Sequence, residues 1–397
     1  MKRSFLSVIG ICALIVGLYT THLFTQTATA PMTTVTLLDS LHLSGTHIIN
    51  QNGQTVFLQG VDISGEYLCP PSQMYSLTQL QAAKTWNINA IKLTINPELW
   101  LAGYGSCTAT QYQASIQTAI SNARSLGLYV IAAAYEWDKT PQDGMDMATA
   151  TTQQFWQVFA PLYAGDTGVL YETFNEPHNI TATQWLNGDT SLGYIGEQQL
   201  ANTIRNTGAQ NIIIIDGDNY GGTIGQLLPQ YALTGTNIAY AEHLWTNGSN
   251  LYPSNWPANW ENAAATYPII GTEFGDNSSN CAYLSWLPGA MTAFTQHADG
   301  MFAWAFNTDG TICGRPDVIN PNDSVSSYGQ PIYQFYTASA PSPTPTPIPP
   351  TATVAPPTAT PSPSPTSTPP PVSGSCTTTY TYTATTMTIT TVCLNVP

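Results

Sequence analysis

Eight short apolar runs alternate with longer helical segments between residues 57 and 305, and this alternation constrains the fold more than any other feature. One run, Ile212-Ile213-Ile214-Ile215, has no polar position, which indicates a strand buried on both faces, as in a parallel sheet. The predicted strands are residues 57–63, 90–95, 128–134, 169–174, 211–215, 238–242, 269–274 and 301–305. Amphipathic segments predict helices at residues 77–86, 112–126, 152–163, 198–206 and 284–297.

Eight repeats of strand and helix within about 250 residues are typical of the α/β class and, within it, of a (β/α)8 TIM barrel. A doubly wound open sheet is the structural alternative. Before the first barrel strand, residues 46–50 and 55–58 resemble two further strands, joined through Asn52-Gly53. An Asn-Gly pair between apolar runs is a strong hairpin signal, so we predict an N-terminal β-hairpin there.

Composition divides the chain into four parts. Residues 340–372 are almost wholly Pro, Thr and Ser, which predicts an extended, solvated linker that buries no core. This linker separates the predicted barrel domain, residues 33–339, from a tail, residues 373–397, in which Thr alternates with Tyr, Ile and Val between two cysteines. The tail is too short for an ordinary domain, and we predict a disulfide-closed β-hairpin.

The first 30 residues have the order of a secretory signal: Lys2 and Arg3, then an apolar run, then small residues ending at Ala30. Pro31 follows the cleavage motif directly and tends to obstruct signal peptidase, so a retained N-terminal anchor is the alternative. Either case predicts an exported, extracellular protein.

Six cysteines lie beyond the signal, and in an exported chain an even number suggests disulfides. Pairing neighbours along the chain predicts the disulfides Cys69–Cys107, Cys281–Cys313 and Cys376–Cys393.

The charge balance excludes several classes of partner. Only 8% of the residues are charged, against about 25% in a usual protein, and the formal net charge is −15. Such a surface has no basic patch for phosphate backbones and repels polyanions. We therefore expect a neutral ligand, no nucleic acid, no membrane partner beyond the possible anchor, and a monomer.

Two glutamates stand at the ends of predicted strands, Glu176 after the fourth and Glu273 in the seventh. In a TIM barrel the active site lies at the carboxyl ends of the strands, and strands four and seven face each other across the barrel mouth. Two carboxyl groups about 5–5.5 Å apart suit a double-displacement glycosidase, whereas about 6.5–9.5 Å suits inversion through a water molecule. We therefore predict that Glu176 and Glu273 form a catalytic pair, one as acid/base and the other as nucleophile.

The chain resembles glycoside hydrolase family 5, a group of clan A barrels with many cellulases and mannanases, over residues 42–337. The most specific element is Asn175-Glu176-Pro177 after an apolar strand, followed by His178. The resemblance implies that Glu176 is the acid/base and that Asn175 binds the sugar 2-hydroxyl. It also implies that Glu273 is the nucleophile, that His243 is the strand-six histidine, and that Trp304 forms the floor of the sugar site.

Three positions depart from the family pattern. Lys92 replaces the strand-two arginine that holds the nucleophile, and a lysine cannot form the bidentate fork of an arginine. Tyr135 stands where a histidine is usual after strand three, and Trp245 replaces the usual tyrosine of strand six. We assign Lys92, Tyr135 and Trp245 to substrate binding together with Trp137 and His178. Flat aromatic faces suit pyranose rings, and several tryptophans fall at predicted strand ends: Trp100, Trp137, Trp185, Trp245 and Trp304.

The resulting hypothesis is a retaining endo-glycosidase that needs no metal and no organic cofactor. Its acid/base requires a raised pKa, and its nucleophile, Glu273, a lowered one with help from Lys92. Cellulose-type β-1,4-glucan is the first choice of substrate and β-mannan the second. Two rivals remain open, a barrel that only binds carbohydrate and a transglycosylating cell-wall enzyme.

Overall fold

The computed structural model describes residues 40–63, 76–137, 144–308, 313–314 and 316–338, together with the backbone of residues 375–383 and 386–394. The predicted signal (residues 1–30), Cys69 and the linker (residues 340–372) lie outside this range. None of the helices within it is long and apolar enough to cross a bilayer.

The central element is a closed barrel of eight parallel strands, which confirms the TIM barrel and excludes the open sheet. The first twelve strands of the chain are β1 (Leu41–Ser44), β2 (His47–Asn50), β3 (Leu58–Ile63), β4 (Ala90–Ile95), β5 (Gly103–Tyr104), β6 (Cys107–Thr108), β7 (Tyr129–Ala134), β8 (Val169–Glu172), β9 (Ile213–Ile215), β10 (Ile238–Trp245), β11 (Ile269–Gly275) and β12 (Gly300–Ala303). The barrel order is β3-β4-β7-β8-β9-β10-β11-β12, with β12 pairing back to β3. Each predicted strand matches one of these eight, with small differences at the ends.

Helices surround the barrel, and a side chain caps the first turn of five of those in the described residues. Their bounds are α1 (Leu77–Lys84), α2 (Pro97–Leu101), α3 (Ala109–Ser125), α4 (Ala150–Tyr163), α5 (Ala182–Asn187), α6 (Glu197–Asn206), α7 (Asn262–Ala264), α8 (Leu287–His297) and α9 (Gly329–Thr337). Helix α3 begins with a capping box in which Thr108 and Gln111 each bond to the other's backbone. Short 3-10 turns at Ile224–Gln226, Gly248–Leu251 and Pro253–Asn255, and a π-helical segment at Pro257–Glu261, complete the loops.

The interior of the barrel is apolar at one end and charged at the other. Alternate strand residues such as Ile212 and Ile214 form a buried cluster with Leu41 and Ile48, so the hairpin β1–β2 closes the amino end of the barrel. Towards the carboxyl ends of the same strands, the buried side chains become ionisable. They include Asp62, Lys92, Glu172, Asp216 and His243. This layer lies directly beneath the barrel mouth.

The hairpin differs from the prediction. The regular pair is β1 with β2, turned at Gly45-Thr46, and only a single bridge, Ile49 to Thr55, corresponds to the predicted pairing across Asn52-Gly53. The reason is that residues from Leu58 onwards are committed to the barrel strand β3, so no second strand of useful length remains after the Asn-Gly turn.

A buried carboxylate fastens the hairpin, and it gives a testable prediction. Asp299 Oδ2 accepts the N–H of Ile48 at 2.7 Å, and its Oδ1 lies 3.0 Å from His47 Nδ1. We expect Asp299→Ala to lower the free energy of unfolding by about 1–3 kcal/mol, because it leaves a buried N–H without an acceptor. Urea unfolding measures this, with His47→Ala as control, since the His47 side chain is 57% exposed. Equal effects of the two variants would contradict the prediction.

Cysteine pairing agrees with the prediction where it can be compared. Cys281 and Cys313 form a disulfide between the loops that follow β11 and β12. The Cys69–Cys107 pair cannot be compared, because Cys69 lies outside the described residues. The tail forms a separate unit. In it, β13 (Ser375–Thr383) and β14 (Thr386–Leu394) pair antiparallel, with Cys376 directly opposite Cys393.

Candidate active site

The two predicted catalytic glutamates meet at the mouth of the barrel. Glu176 follows β8, and Glu273 lies in β11. Three atoms lie within 4.8 Å of one another: a carboxylate oxygen of Glu176, a carboxylate oxygen of Glu273 and a ring nitrogen of His243. Glu176 is half-buried and Glu273 is only 2% exposed. Residues 97 positions apart in the sequence are therefore brought to a single point by closure of the barrel.

Lys92 connects the nucleophile candidate with its neighbours. Its ammonium group lies 2.7 Å from Glu172 Oε1, 2.8 Å from Asn175 Oδ1 and 3.1 Å from Glu273 Oε1. A lysine has three N–H donors, so each donor has one acceptor here. Because the oxygen of Asn175 is held by Lys92, the amide nitrogen is the part of Asn175 that can face a sugar hydroxyl. The predicted contact between Lys92 and Glu273 is confirmed.

The electrostatics of Glu273 differ from the prediction. Burial raises the pKa of Glu273 above its ordinary value, although His243 and Lys92 act in the opposite direction. We had expected a lowered pKa from Lys92. The reason for the difference is that Glu273 is fully desolvated and that Glu172 and Glu176 repel its negative charge, while Lys92 is shared among several carboxylates. The pKa of Lys92 is itself raised by Glu172, Glu273, Asp62 and Asp216, although burial acts to lower it.

His243 lies between the two glutamates. Its Nδ1 is 3.0 Å from Glu176 Oε1 and 3.4 Å from Glu273 Oε2, and its Nε2 is 3.0 Å from Thr272 Oγ1. Burial lowers the pKa of His243 to about 3, so the ring is neutral near neutral pH. A neutral imidazole with its proton on Nδ1 donates to Glu176, lies beside Glu273 and adds no positive charge.

The loop after β9 covers His243. Gly221 has a φ of +71°, and a Cβ on it would lie 2.5 Å from the His243 ring, so only glycine fits. The preceding residue, Tyr220, is 45% exposed and stacks on His178, with ring centroids 4.2 Å apart. His178 itself is only 3% exposed, and its Nδ1 lies 2.8 Å from the Glu176 carbonyl oxygen. His178 thus lies under Tyr220 and against the backbone of Glu176, and its role in substrate binding stays a prediction.

The aromatic predictions divide into two groups. Trp245 and Trp304 are half-buried at the mouth, with ring centroids 6.2 Å apart, and Tyr135 and Trp137 are half-buried beyond β7. Trp100 and Trp185, in contrast, are core residues and are corrections to the prediction. Trp100 is 2% exposed because it packs edge-on against Phe155 and Phe159 of helix α4. Trp185 is fully buried, and its Nε1 donates to the backbone oxygen of Asp216.

Sequence reasoning missed the acidic residues beneath the catalytic pair. Asp62, Glu172 and Asp216 are all buried within the barrel, and burial raises the pKa of each. The available signal was a charged residue at the end of an apolar run, as in Val169–Glu172. We used that signal only for Glu176 and Glu273.

Two groups of side chains have the spacing of metal ligands within the described residues. They are Glu172, Asp216 and His243, and Glu176, His243 and Glu273. Lys92, however, lies within 3.1 Å of both Glu172 and Glu273 and already supplies the positive charge of this layer. The arrangement therefore suits proton transfer and nucleophilic attack better than metal coordination.

Buried carboxyl groups give the fold a characteristic pH dependence. Burial raises the pKa of Glu197 and of Glu242 to about 8, against an ordinary value of 4.5. Between these values the folded protein keeps protons that the unfolded chain releases, so stability falls as pH rises. We expect the free energy of unfolding to fall between about pH 6.5 and about pH 8, by up to about 1.4 kcal/mol for each pKa unit at each group. The folded protein keeps His243 neutral over that range, and in the unfolded chain the ordinary pKa of 6.5 leaves it largely neutral above about pH 7.5.

Urea unfolding across this pH range tests the expectation. Glu197→Gln removes one titrating group, so its stability is expected to depend less on pH than that of the unmodified protein. A curve that rises with pH, or an unchanged slope in the variant, would contradict it.

Comparison with known proteins places the chain in a family. The protein-family model described as cellulase, glycosyl hydrolase family 5, matches residues 49–310 of this chain. Endoglucanase A of Butyrivibrio fibrisolvens is 25% identical over 214 residues, which cover 52% of this chain and 45% of that protein. The chain thus spans about half the length of this relative.

Solved structures share the barrel. A β-glucanase from Saccharophagus degradans, in complex with cellotetraose, has a TM-score of 0.60 at 22% identity, covering 75% of this chain and 93% of the other. An endocellulase from Pyrococcus horikoshii has a TM-score of 0.60 at 14% identity, covering 75% and 98%. At these identities the likeness concerns the fold.

The family match covers more than half of the 397 residues and extends from the N-terminal hairpin beyond Trp304. Every residue of the site described above, from Asp62 to Trp304, falls within it. The chain therefore belongs to the cellulase family, glycosyl hydrolase family 5.

Proposed function

We propose that this protein is a secreted, retaining endo-glycosidase that cleaves a neutral β-1,4-linked polysaccharide, with cellulose-type β-glucan as the first candidate. The observation that carries the proposal is the convergence of Glu176 and Glu273, whose nearest carboxylate oxygens lie within 4.8 Å. Family membership and the endoglucanase among the relatives support the same reaction class.

The mechanism has two steps. In the first, Glu273 attacks the anomeric carbon while Glu176 donates its proton to the departing glycosidic oxygen, which leaves a covalent glycosyl-enzyme. In the second, Glu176, now a carboxylate, takes a proton from water as the water attacks the anomeric carbon and releases Glu273. Each step inverts the anomeric centre, so the product keeps the configuration of the substrate.

The separation of the carboxylates favours retention over inversion. An inverting enzyme needs about 6.5–9.5 Å between its carboxyl groups to hold a water molecule. One oxygen of Glu176 lies within 4.8 Å of one oxygen of Glu273, and this close approach supports direct attack. Lys92 and His243 keep Glu273 oriented from two sides, through Oε1 and Oε2 respectively.

Aromatic side chains around the mouth support an extended neutral substrate. The large aromatic side chains that are exposed in the described residues are Tyr104, Tyr220, Tyr252 and Tyr283. All four lie in segments that follow the carboxyl end of a barrel strand, on the same face as the catalytic pair. Rings spread over one face suit stacking on several sugars of a chain, which favours cleavage within a polymer.

Comparison of substrates tests the proposal. We expect reducing-sugar release from a soluble β-1,4-glucan to exceed that from β-mannan. We also expect NMR to show that the first product released from cellotetraose is the β-anomer. Faster release from mannan would identify the second candidate substrate. Binding of glucan without release would favour a barrel that only binds carbohydrate, and products longer than the substrate would favour transglycosylation.

Export is part of the proposal. Two features support it: the order of basic, apolar and small residues in positions 1–30, and the Cys281–Cys313 disulfide, a bond typical of oxidising compartments. The same proposal takes the protein as a monomer. Mass spectrometry of the extracellular protein from its native host would identify the mature N-terminus.

Lys92 gives a further prediction. We expect Lys92→Met to lower kcat on β-glucan by about 10²–10³-fold, because the nucleophile and Asn175 lose their shared donor. Lys92→Arg is expected to recover only part of the rate, since a planar guanidinium does not reproduce three separate contacts. Lys84→Met, on the exposed surface of α1, is the matched control. A folded Lys92→Met variant within about threefold of the unmodified rate would contradict this role.

A further inference from the structure

The backbone of Glu176 has an unusual conformation. Its φ is +60°, in the left-handed region that residues other than glycine rarely occupy. Such a conformation costs on the order of 1–3 kcal/mol and persists only where the surroundings hold it. The side chain at this position is the proposed proton donor, so whatever holds the backbone also aims the acid.

Asp216 makes the contact that holds this backbone. Its Oδ2 accepts the Glu176 N–H at 2.9 Å. The same oxygen lies 3.4 Å from His243 Nε2, and the other ring nitrogen of His243 is 3.0 Å from Glu176 Oε1. Asp216 therefore contacts the backbone of the acid/base directly and lies beside the histidine that contacts its carboxyl group.

Asp216 is itself held in place at its backbone. The indole N–H of Trp185 donates to its backbone oxygen at 2.8 Å. One of its carboxylate oxygens lies within 4.8 Å of a carboxylate oxygen of Glu172. Glu172 in turn lies 2.7 Å from Lys92, which also contacts Glu273. One buried network thus links the backbone of the acid/base to the nucleophile.

We propose that Asp216 is a positioning residue for the acid/base, holding Glu176 in the left-handed conformation from which its carboxyl group reaches the leaving oxygen. This inference rests on the proposed function. It predicts a selective defect: without Asp216, proton donation to the leaving group weakens, while nucleophilic attack by Glu273 remains possible. Substrates whose leaving group needs no proton should then be spared.

Aryl β-cellobiosides with graded leaving groups separate these effects, because kcat/KM reports the steps up to formation of the glycosyl-enzyme. For Asp216→Ala we expect kcat/KM to fall by about 10²-fold with phenyl as leaving group and by less than about threefold with 2,4-dinitrophenyl. Asp216→Asn keeps an oxygen that can accept the Glu176 N–H, so it should stay within about threefold of the unmodified protein on both substrates.

Asp299→Ala is the matched control, since Asp299 is also a buried aspartate that accepts a backbone N–H, but at the opposite end of the barrel. It should lower stability without changing the ratio of kcat/KM between the phenyl and the 2,4-dinitrophenyl substrates.

If Asp216→Ala does not fold, Asp216→Leu fills the same space without an acceptor. Equal losses for both leaving groups, or an Asn variant as impaired as the Ala variant, would overturn this inference alone. An unmodified protein inactive on every aryl glycoside would overturn the proposed function, and this inference with it.

Discussion

Replacing Glu273 with glutamine is expected to lower kcat on a soluble β-glucan by on the order of 10⁴-fold or more, because an amide cannot attack the anomeric carbon. The variant should still fold and bind sugar. Glutamine has the same shape, and it removes a buried charge whose desolvation already raises the pKa of Glu273. Reducing-sugar assays measure the loss, and thermal unfolding with cellotetraose present reports folding and binding together.

The matched control is Glu197→Gln, since Glu197 is an equally buried glutamate that bonds to Thr173 outside the catalytic pair. It should keep its activity within about threefold of the unmodified protein.

Azide gives a second and more specific readout. Added to Glu273→Gly, it should restore turnover by attacking from the nucleophile's side, which gives the α-glycosyl azide from a β-linked substrate. Recovery of the β-azide instead would mean that Glu273 and Glu176 have been assigned the wrong way round.

Replacing Glu176 with glutamine is expected to give the second large effect, and a different one. Loss of general acid catalysis should lower kcat/KM on the polysaccharide by about 10²–10⁴-fold. With a 2,4-dinitrophenyl leaving group, kcat/KM should change little, because that group departs without a proton. The kcat on the same substrate should nevertheless fall, because no base activates water in the second step, and glycosyl-enzyme should accumulate.

Two measurements check this pattern. Mass spectrometry of Glu176→Gln after reaction with the dinitrophenyl substrate should detect the covalent adduct, and the same treatment of Glu273→Gln should not. Azide added to Glu176→Gly should give the β-glycosyl azide. Equal losses of kcat/KM on the activated and the natural substrate would contradict the assignment of Glu176 as the acid.

The barrel and the meeting of Glu176 with Glu273 at its mouth were predictable because they depend on local patterns. Continuous apolar runs such as the one ending at Ile215 identify strands that are buried on both faces. Since the carboxyl ends of parallel strands meet at one mouth, Glu176 and Glu273 could be placed together without coordinates. Lys92 and His243 were found through the resemblance to glycoside hydrolase family 5, at the positions of its strand-two arginine and its strand-six histidine.

The tryptophans could not be assigned by the same reasoning. Trp100 and Trp245 both follow a barrel strand closely, yet Trp100 packs under helix α4 and Trp245 lies half-exposed at the mouth. The direction of each ring depends on which helix packs against its loop, and that packing involves residues more than fifty positions away, such as Phe155. The surroundings of His178 were unpredictable for a related reason, because Tyr220 stacks on it from another loop.

The amino-acid sequence alone determined the strand pattern and the two candidate catalytic carboxylates at strand ends, because both depend on neighbours within a few positions. Only the tertiary structure decided how those charges behave. Closing the barrel places Asp62, Glu172, Asp216 and Glu273 around one ammonium group and away from water, so desolvation outweighs the attraction of Lys92 and raises the pKa of all four. Burial is a property of the whole fold, and no stretch of sequence contains it.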